Sequence, residues 1–365
     1  MDETIQIHER LRESFGSRGF LLLGVTGIDV AEDHTRFLHW LEAGNHGGMD
    51  FLVRNSEIRG DLNRLLPGTK SAVIFALPYA PAGTSEQDKA QVPAQVEAPS
   101  GPRIAKYARL RDYHKVMWQE GDAAFTAAMS DRSTEHRVCV DSAPVLERAL
   151  AAQSGSGFIG KNTCFIAGKQ GSFLLLGIVL TTLEIAPTKM PAEIKSRTNA
   201  NSCGGCRRCQ THCPTGALDQ AWNLDSRRCL SYWTIENRGT IPEEFWPWLG
   251  KYWYGCDICQ DVCPYNRTGV KLERSDLQRP VEKLALEQVA TMDQELYEQT
   301  FGGTPMTRAK RNGLRRNAMI AMFVTANPGL DSVLKKALQD EDPVIQETAR
   351  QILRRIHIRI MNIAK

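Results

Sequence analysis

Apolar residues recur three and four positions apart over residues 3 to 18, which predicts an amphipathic helix at the start of the chain. Short apolar runs at Phe20–Val25 and Ala72–Leu77 predict strands. Thr35–Ala43 returns to the helical period and stops at Gly44. Pro81–Pro102 is rich in Pro, Ala, Gln and Glu and reads as a surface loop. Asp112–Met129 then reads as helix, Val138–Val140 as strand, Ala143–Gln153 as helix and Phe173–Leu183 as a buried strand. Helix and strand alternate, so residues 1–195 form a mixed α and β domain. The pattern changes near the C-terminus, where amphipathic helices are predicted at Arg308–Thr325, Asp331–Gln339 and Pro343–Ile356. Pro343 suits a first turn after Asp342. Short helices of this length suggest a HEAT-like pair.

Length refines that picture. At 365 residues, two or three domains are expected. The longest apolar run is too short to span a bilayer. The N-terminus lacks the features of a signal peptide, so a cytoplasmic protein with no membrane partner is expected, and a monomer. The net charge of +3 says little until it is divided. Arg308 to Lys365 carries a net +7, leaving −4 on the remainder. Arg311, Arg315, Arg316, Lys335, Lys336, Arg350, Arg354 and Arg355 are expected on the polar faces of the three helices. They form either a solvated surface or a grip on phosphates that reads no sequence. The sign bias favours the second.

Between these regions lies the chemistry. Eight of the ten cysteines fall within about sixty residues, in CGGCRRCQTHCP, a lone Cys229 and CDICQDVCP. The C-x2-C-x2-C-x3-C-P spacing is that of bacterial ferredoxins with two [4Fe–4S] clusters, where the fourth cysteine of a run serves the other cluster. Cys203, Cys206, Cys209 and Cys263 then hold one cluster. Cys213, Cys229, Cys256 and Cys259 hold the second. Structural zinc would need paired cysteines across a longer loop, and a disulfide framework would need a secreted chain. Residues 230–255 split the motif and bring Tyr232, Trp233, Phe245, Trp246, Trp248, Tyr252, Trp253 and Tyr254. They read equally as core or as a flat wall for a planar cofactor. The expected domains are 1–195, 196–275 with both clusters, and a basic helical 276–365. The fold class is α+β: a mixed α/β domain, a ferredoxin-like module and an all-α HEAT-like tail.

Two motifs mislead. Gly155 to Asn162 matches a phosphate loop except at its last position, where Asn162 lacks the hydroxyl that would meet magnesium. It reads as a glycine-rich turn, or as a loop whose backbone and Lys161 approach some other ligand. Asp112-Tyr113-His114 begins a D-x-H-x-x-G cobalt-ligand motif, but Met117 stands where glycine should. Asp141 follows one strand and precedes a helix, and it either caps that helix or does chemistry. Cys139 and Cys164 read as buried apolar thiols.

HGGMDFLVRN (46–55), RDYH (111–114), VDSAPVLERALAAQSGSGFIGKNT (140–163), LSYWTIENRG (230–239), RRNAMIA (315–321) and the split cluster motif together resemble the epoxyqueuosine reductases, which complete queuosine in tRNA. The resemblance runs through essentially the whole chain. It implies two [4Fe–4S] clusters and a base-off cobalamin with no His ligand from the protein. It makes Asp141 the proton donor. It places cobalamin contacts at Arg54, Lys161, Asn162, Thr163, Ser231, Thr234 and the backbone of Cys256, Asp257, Ile258 and Cys259. It gives the C-terminal helices a tRNA anticodon stem-loop carrying epoxyqueuosine, and implies an external low-potential electron donor. Reductive dehalogenases share these cofactors, but would not need the basic tail. A non-catalytic iron–sulfur carrier would not need two hundred residues before its clusters.

Overall fold

The computed structural model describes residues 3–79, 102–188, 202–267, 274–277 and 284–363. The expected loop at Pro81–Pro102 lies outside them except for Pro102. The chain divides into two compact units, each built from separated stretches. The first takes Met1–Ala90, Asp112–Ser226 and Ile258–Asp276; the second takes Gln91–Arg111, Arg227–Asp257 and Leu277–Lys365.

The first unit is organised on an antiparallel sheet of β1 (Leu21–Thr26), β2 (Ser71–Pro78), β3 (His136–Val140) and β4 (Leu174–Thr181), in the order β1-β2-β4-β3. Its longer helices are α1 (Glu3–Gly16), α2 (Ala31–Glu42), α3 (Tyr113–Ala128) and α4 (Glu147–Gln153). Every residue of β2 is buried, because helices cover both faces of the sheet. On one face Phe75 meets Phe15 of α1 and Phe20 at ring separations of 5.0 and 5.1 Å. Gly121 lets α3 close onto the same ring: a Cβ there would stand 2.7 Å from it. On the other face Ala72, Ile74 and Ala76 pack with Leu150 and Ala151 of α4. Double coverage is why these strands read as continuous apolar runs rather than alternating ones.

The helix expected at Ala143–Gln153 begins only at Glu147. Ala143 precedes Pro144, which disfavours the helical conformation, and Asp141 takes a left-handed φ of 42° that breaks the chain direction first.

In the second unit the three predicted helices are α5 (Lys310–Val324), α6 (Leu330–Ala337) and α7 (Pro343–Ile363), the last a turn or two longer than expected. Of the eight aromatic residues of the inserted segment, Phe245, Trp246, Tyr252, Trp253 and Tyr254 are buried, so most of that density is core. Among the described residues no helix is long and apolar enough to cross a membrane.

Two of the expected surface cations are not on the surface. Arg315 is 7% exposed; its Nε donates to the Ala290 carbonyl and it pairs with Asp340. Arg316 is 1% exposed. It donates to the carbonyls of Trp233 (2.9 Å), Asn237 (2.9 Å) and Gly239, and to Asn317 Oδ1. Those carbonyls lie in and after the π-helical turn Tyr232–Glu236, whose widened backbone lacks the usual α-helical partners. Five fixed donors satisfy such a cluster better than any apolar side chain. Arg316→Met should therefore cost about 3–5 kcal/mol of stability, read as a lowered midpoint of thermal or urea unfolding.

Candidate functional site

The cysteines of the first unit are set by short local structure. The Cys206 amide donates to the Cys203 carbonyl at 2.9 Å, closing the first turn of the run. The helical turn Arg208–His212 carries Cys209, and its partner turn Ile258–Asp261 carries Cys259 and precedes Cys263. Burial pushes the Cys263 thiol up to about 11, and the charges of Cys203, Cys209 and Cys164 add to it. Burial likewise raises Cys209, with Cys203 and Cys206 contributing. Cys263 thus lies within electrostatic reach of Cys203 and Cys209, and Cys209 within reach of Cys203 and Cys206. Among the described residues no three ligand-type side chains converge as they would on a single ion. A cubane asks for something else, one thiolate per iron, so its four cysteines stand further apart than the ligands of one metal. Of the remaining four cysteines, Cys213 and Cys259 belong to the first unit and Cys229 and Cys256 to the second.

Lys161 braces the same run. Its Nζ donates to the carbonyls of Gly204 (2.7 Å) and Cys206 (3.0 Å) and sits 5.6 Å over the Trp222 ring. The glycine-rich turn is a packing device: Gly155 takes φ 81° just after α4, and a Cβ on Gly157 would stand 2.2 Å from the Ile166 carbonyl. The ligand its lysine approaches is the backbone of the cysteine loop.

Asp141 is the centre of a second constellation. Its Oδ2 accepts from Tyr113 Oη at 2.8 Å and faces His114 Nε2 at 3.1 Å. His114 Nδ1 faces Asp112 Oδ1 at 2.8 Å, and Asp112 also accepts the His114 amide at the start of α3. Asp141 does not cap α4, which begins six residues later. Burial of His114 opposes its cation, but hydrogen bonds to Asp141 and Asp112 outweigh that and raise its pKa. With a carboxylate on each ring nitrogen, His114 has no free nitrogen for a metal. Burial, reinforced by the Asp141 charge, drives the Tyr113 hydroxyl far above its ordinary value, so it serves as a donor only.

The Asp141 side chain is 66% exposed and forms part of the wall of a cavity of about 840 Å³. Phe37, Trp40, Phe158 and Trp222 supply aromatic wall, Arg148 and Arg59 supply charge, and Glu147 adds a carboxyl group. The volume lies in the range of small-molecule sites.

The other expected residues are distributed around this. Thr163 lines the cavity with a φ of 62°. Asn162 is 4% exposed; its Oδ1 accepts the Cys164 amide and its Nδ2 donates to the Cys259 carbonyl. Arg54 ends a short helix and is exposed, and it is not among the residues that line the cavity. In the second unit Thr234 is buried; its hydroxyl donates to Leu230 and accepts the Gly255 amide, while Ser231 precedes the π-helical turn. Asp257 is buried and accepts the Lys106 amide. Ile258 and Cys256 are half-buried. Tyr113 and His114 enter the sequence analysis only through a failed cobalt-ligand motif, not as partners of Asp141, and Glu147 does not enter it by itself. The only signal was their place in RDYH and VDSAPVLERA.

Comparison with known proteins adds to this geometry. Residues 202–266 match the family model of the 4Fe-4S double cluster binding domain, and residues 59–142 match that of "Epoxyqueuosine reductase QueG, DUF1730". An epoxyqueuosine reductase of Alicycliphilus denitrificans is 34% identical over 332 residues, covering 88% of this chain and 89% of that protein. One from Escherichia coli K12 is 31% identical over 366 residues, covering 96% and 91%. A crystal structure of an epoxyqueuosine reductase with an epoxyqueuosine-modified tRNA-Tyr stem loop superposes with a TM-score of 0.80 at 26% identity, covering 95% of this chain and 89% of the other. A Bacillus subtilis epoxyqueuosine reductase, described with an aspartate-bearing catalytic loop swung out of the active site, gives 0.78 at 26% identity, covering 96% and 90%.

Proposed function

The chain belongs to the epoxyqueuosine reductase family, and from that membership we propose that it reduces epoxyqueuosine to queuosine at the wobble position of tRNA, with Asp141 as the acid that protonates the departing oxygen. The observation that carries the assignment of Asp141 is its place in the cavity wall, held by Tyr113 and His114. Converting an epoxide to an alkene takes two electrons and two protons and releases water. Residues 202–266 form a double [4Fe–4S] cluster domain. The ligand sets remain Cys203, Cys206, Cys209 and Cys263 for one cluster and Cys213, Cys229, Cys256 and Cys259 for the other, on their spacing.

The residues also fit a cobalamin whose cobalt takes no protein histidine, since His114 is engaged at both ring nitrogens. Thr163, in the cavity wall, would help to hold it, whereas the Asn162 amide is engaged at both ends within the protein. When bound, it would supply a reduced cobalt, a strong nucleophile or electron donor. The protein's own part is acid catalysis and positioning. Tyr113 donates to Asp141 and fixes its carboxyl orientation. His114, anchored by Asp112 and stacked on the Tyr113 ring, meets the same oxygen and fixes it further.

In this reading residues 1–195 bind cobalamin, 196–275 carry the clusters, and the HEAT-like helices of 276–365 grip the tRNA. Lys335, Lys336, Arg350 and Arg354 are exposed on α6 and α7 and are the tRNA cations we retain; Arg311 is half-buried. Replacing these four by Glu should weaken tRNA binding and flatten its dependence on salt by about 0.7–0.9 log units for each phosphate no longer neutralised, measured as affinity across a salt series. The function itself is tested by anaerobic incubation with epoxyqueuosine-containing tRNA, cobalamin and a strong reductant. Mass analysis should show the nucleoside losing one oxygen. An unchanged nucleoside overturns the reading.

A further inference from the structure

Two protons are consumed per epoxide, and Asp141 accounts for one. Glu147, in the first turn of α4, forms part of the wall of the same cavity. It is half-buried as a residue, yet its Oε1 is sealed from solvent and has no hydrogen-bond partner. A carboxylate oxygen left bare in this way is costly, and the neutral acid is the form such a site favours. Burial pushes Glu147 up to about 8, helped by the Asp141 charge from the preceding turn. The opposing influences are its own backbone amide, then Arg148 on α4 and Arg59 on the helical turn Ser56–Gly60. Asp33 and Arg36 of α2 also line the cavity but pair with each other at 3.1 Å. The Cys139 thiol on β3 feels Glu147 as well, and is itself pushed up to about 11, chiefly by burial.

We propose that Glu147 is the second proton donor of the active site. The inference rests on the reaction proposed above. Asp141 gives its proton to the epoxide oxygen as the first C–O bond breaks. Glu147 gives the second as the hydroxyl leaves as water. Two electrons, passed singly from the external low-potential donor, complete the carbon–carbon double bond. Both carboxylates then recover protons from solvent. The alternative for Glu147 is purely structural, an ionised side chain completing the N-terminus of α4.

The test uses the full chain and Glu147→Gln, which keeps size and polarity but has no proton to give, with Glu147→Asp as the conservative control. The first readout needs neither cofactor nor substrate. A carboxyl whose folded pKa is raised holds its proton more tightly in the folded state. Its contribution to stability is therefore present at low pH and lost as pH rises from the unfolded value of about 4.3 towards 8. The wild-type unfolding temperature should fall relative to that of Glu147→Gln across this window; parallel profiles would mean an ionised, structural carboxylate and overturn the proposal. The second readout is single-turnover conversion of epoxyqueuosine-containing tRNA. Glu147→Gln should be slowed by about 10²-fold and lose the alkaline fall in rate, with tRNA affinity unchanged, and Glu147→Asp should recover part of both. A Glu147→Gln rate and pH profile matching those of an active wild type also overturn it. An inactive wild type instead condemns the functional reading itself.

Discussion

Asp141→Asn is expected to lose about 10²–10⁴-fold in turnover while binding tRNA and both clusters as the wild type does. Asn is the fair replacement for two reasons. It tolerates the left-handed φ of 42° that residue 141 adopts, as Ala or a β-branched residue would not. Its amide oxygen still accepts from Tyr113 and meets His114, so the cluster of side chains keeps its shape. Only the transferable proton is gone. Anaerobic single-turnover assays beside tRNA-binding measurements separate the two effects. Full turnover in this variant would remove Asp141 from the role of acid and leave it a structural residue of the loop.

Cys209→Ala is expected to abolish turnover outright. The residue lies on the short helix Arg208–His212, and its thiol feels those of Cys203 and Cys206. Losing one thiolate of four should cost the cluster, so bound iron should fall by roughly half and visible absorbance with it. Far-ultraviolet circular dichroism of the variant separates loss of the cluster from loss of the fold. If iron content and activity both survive, Cys209 is not a ligand.

The regular elements were readable because apolar period and strand burial leave strong marks: β2 and β4 are apolar runs, and α1 and α3 carry a clean helical stripe. The cysteine spacing was equally plain. What escaped the sequence depended on partners far away in the chain. Arg315 and Arg316 sit where a helical wheel puts surface cations, and nothing local reveals that Arg316 meets the carbonyls of a π-helical turn some eighty residues earlier. The Gly155–Asn162 stretch was recognisable as something other than a phosphate loop. Only the fold shows that Lys161 braces the cysteine run. Asp141 was ambiguous between capping and chemistry, because both use an Asp between strand and helix. The left-handed backbone and the late start of α4 decide against capping. Glu147 looked like any acid in a first helical turn, since sequence does not report that one of its oxygens has no partner.

The composition of the first unit from three separated stretches bears on how the protein is made. Its last stretch, Ile258–Asp276, enters only after the whole of Arg227–Asp257 has been synthesised into the second unit. Cys203, Cys206 and Cys209 therefore leave the ribosome well before Cys263 exists. At about 5–20 residues per second, those three thiols wait several seconds for the fourth. During that interval the nascent chain carries an incomplete, reactive set of sulfurs. On the ligand set proposed above, iron delivery is a late event that waits on residue 263, and overexpression that outpaces cluster supply should yield chains that fail at that step first.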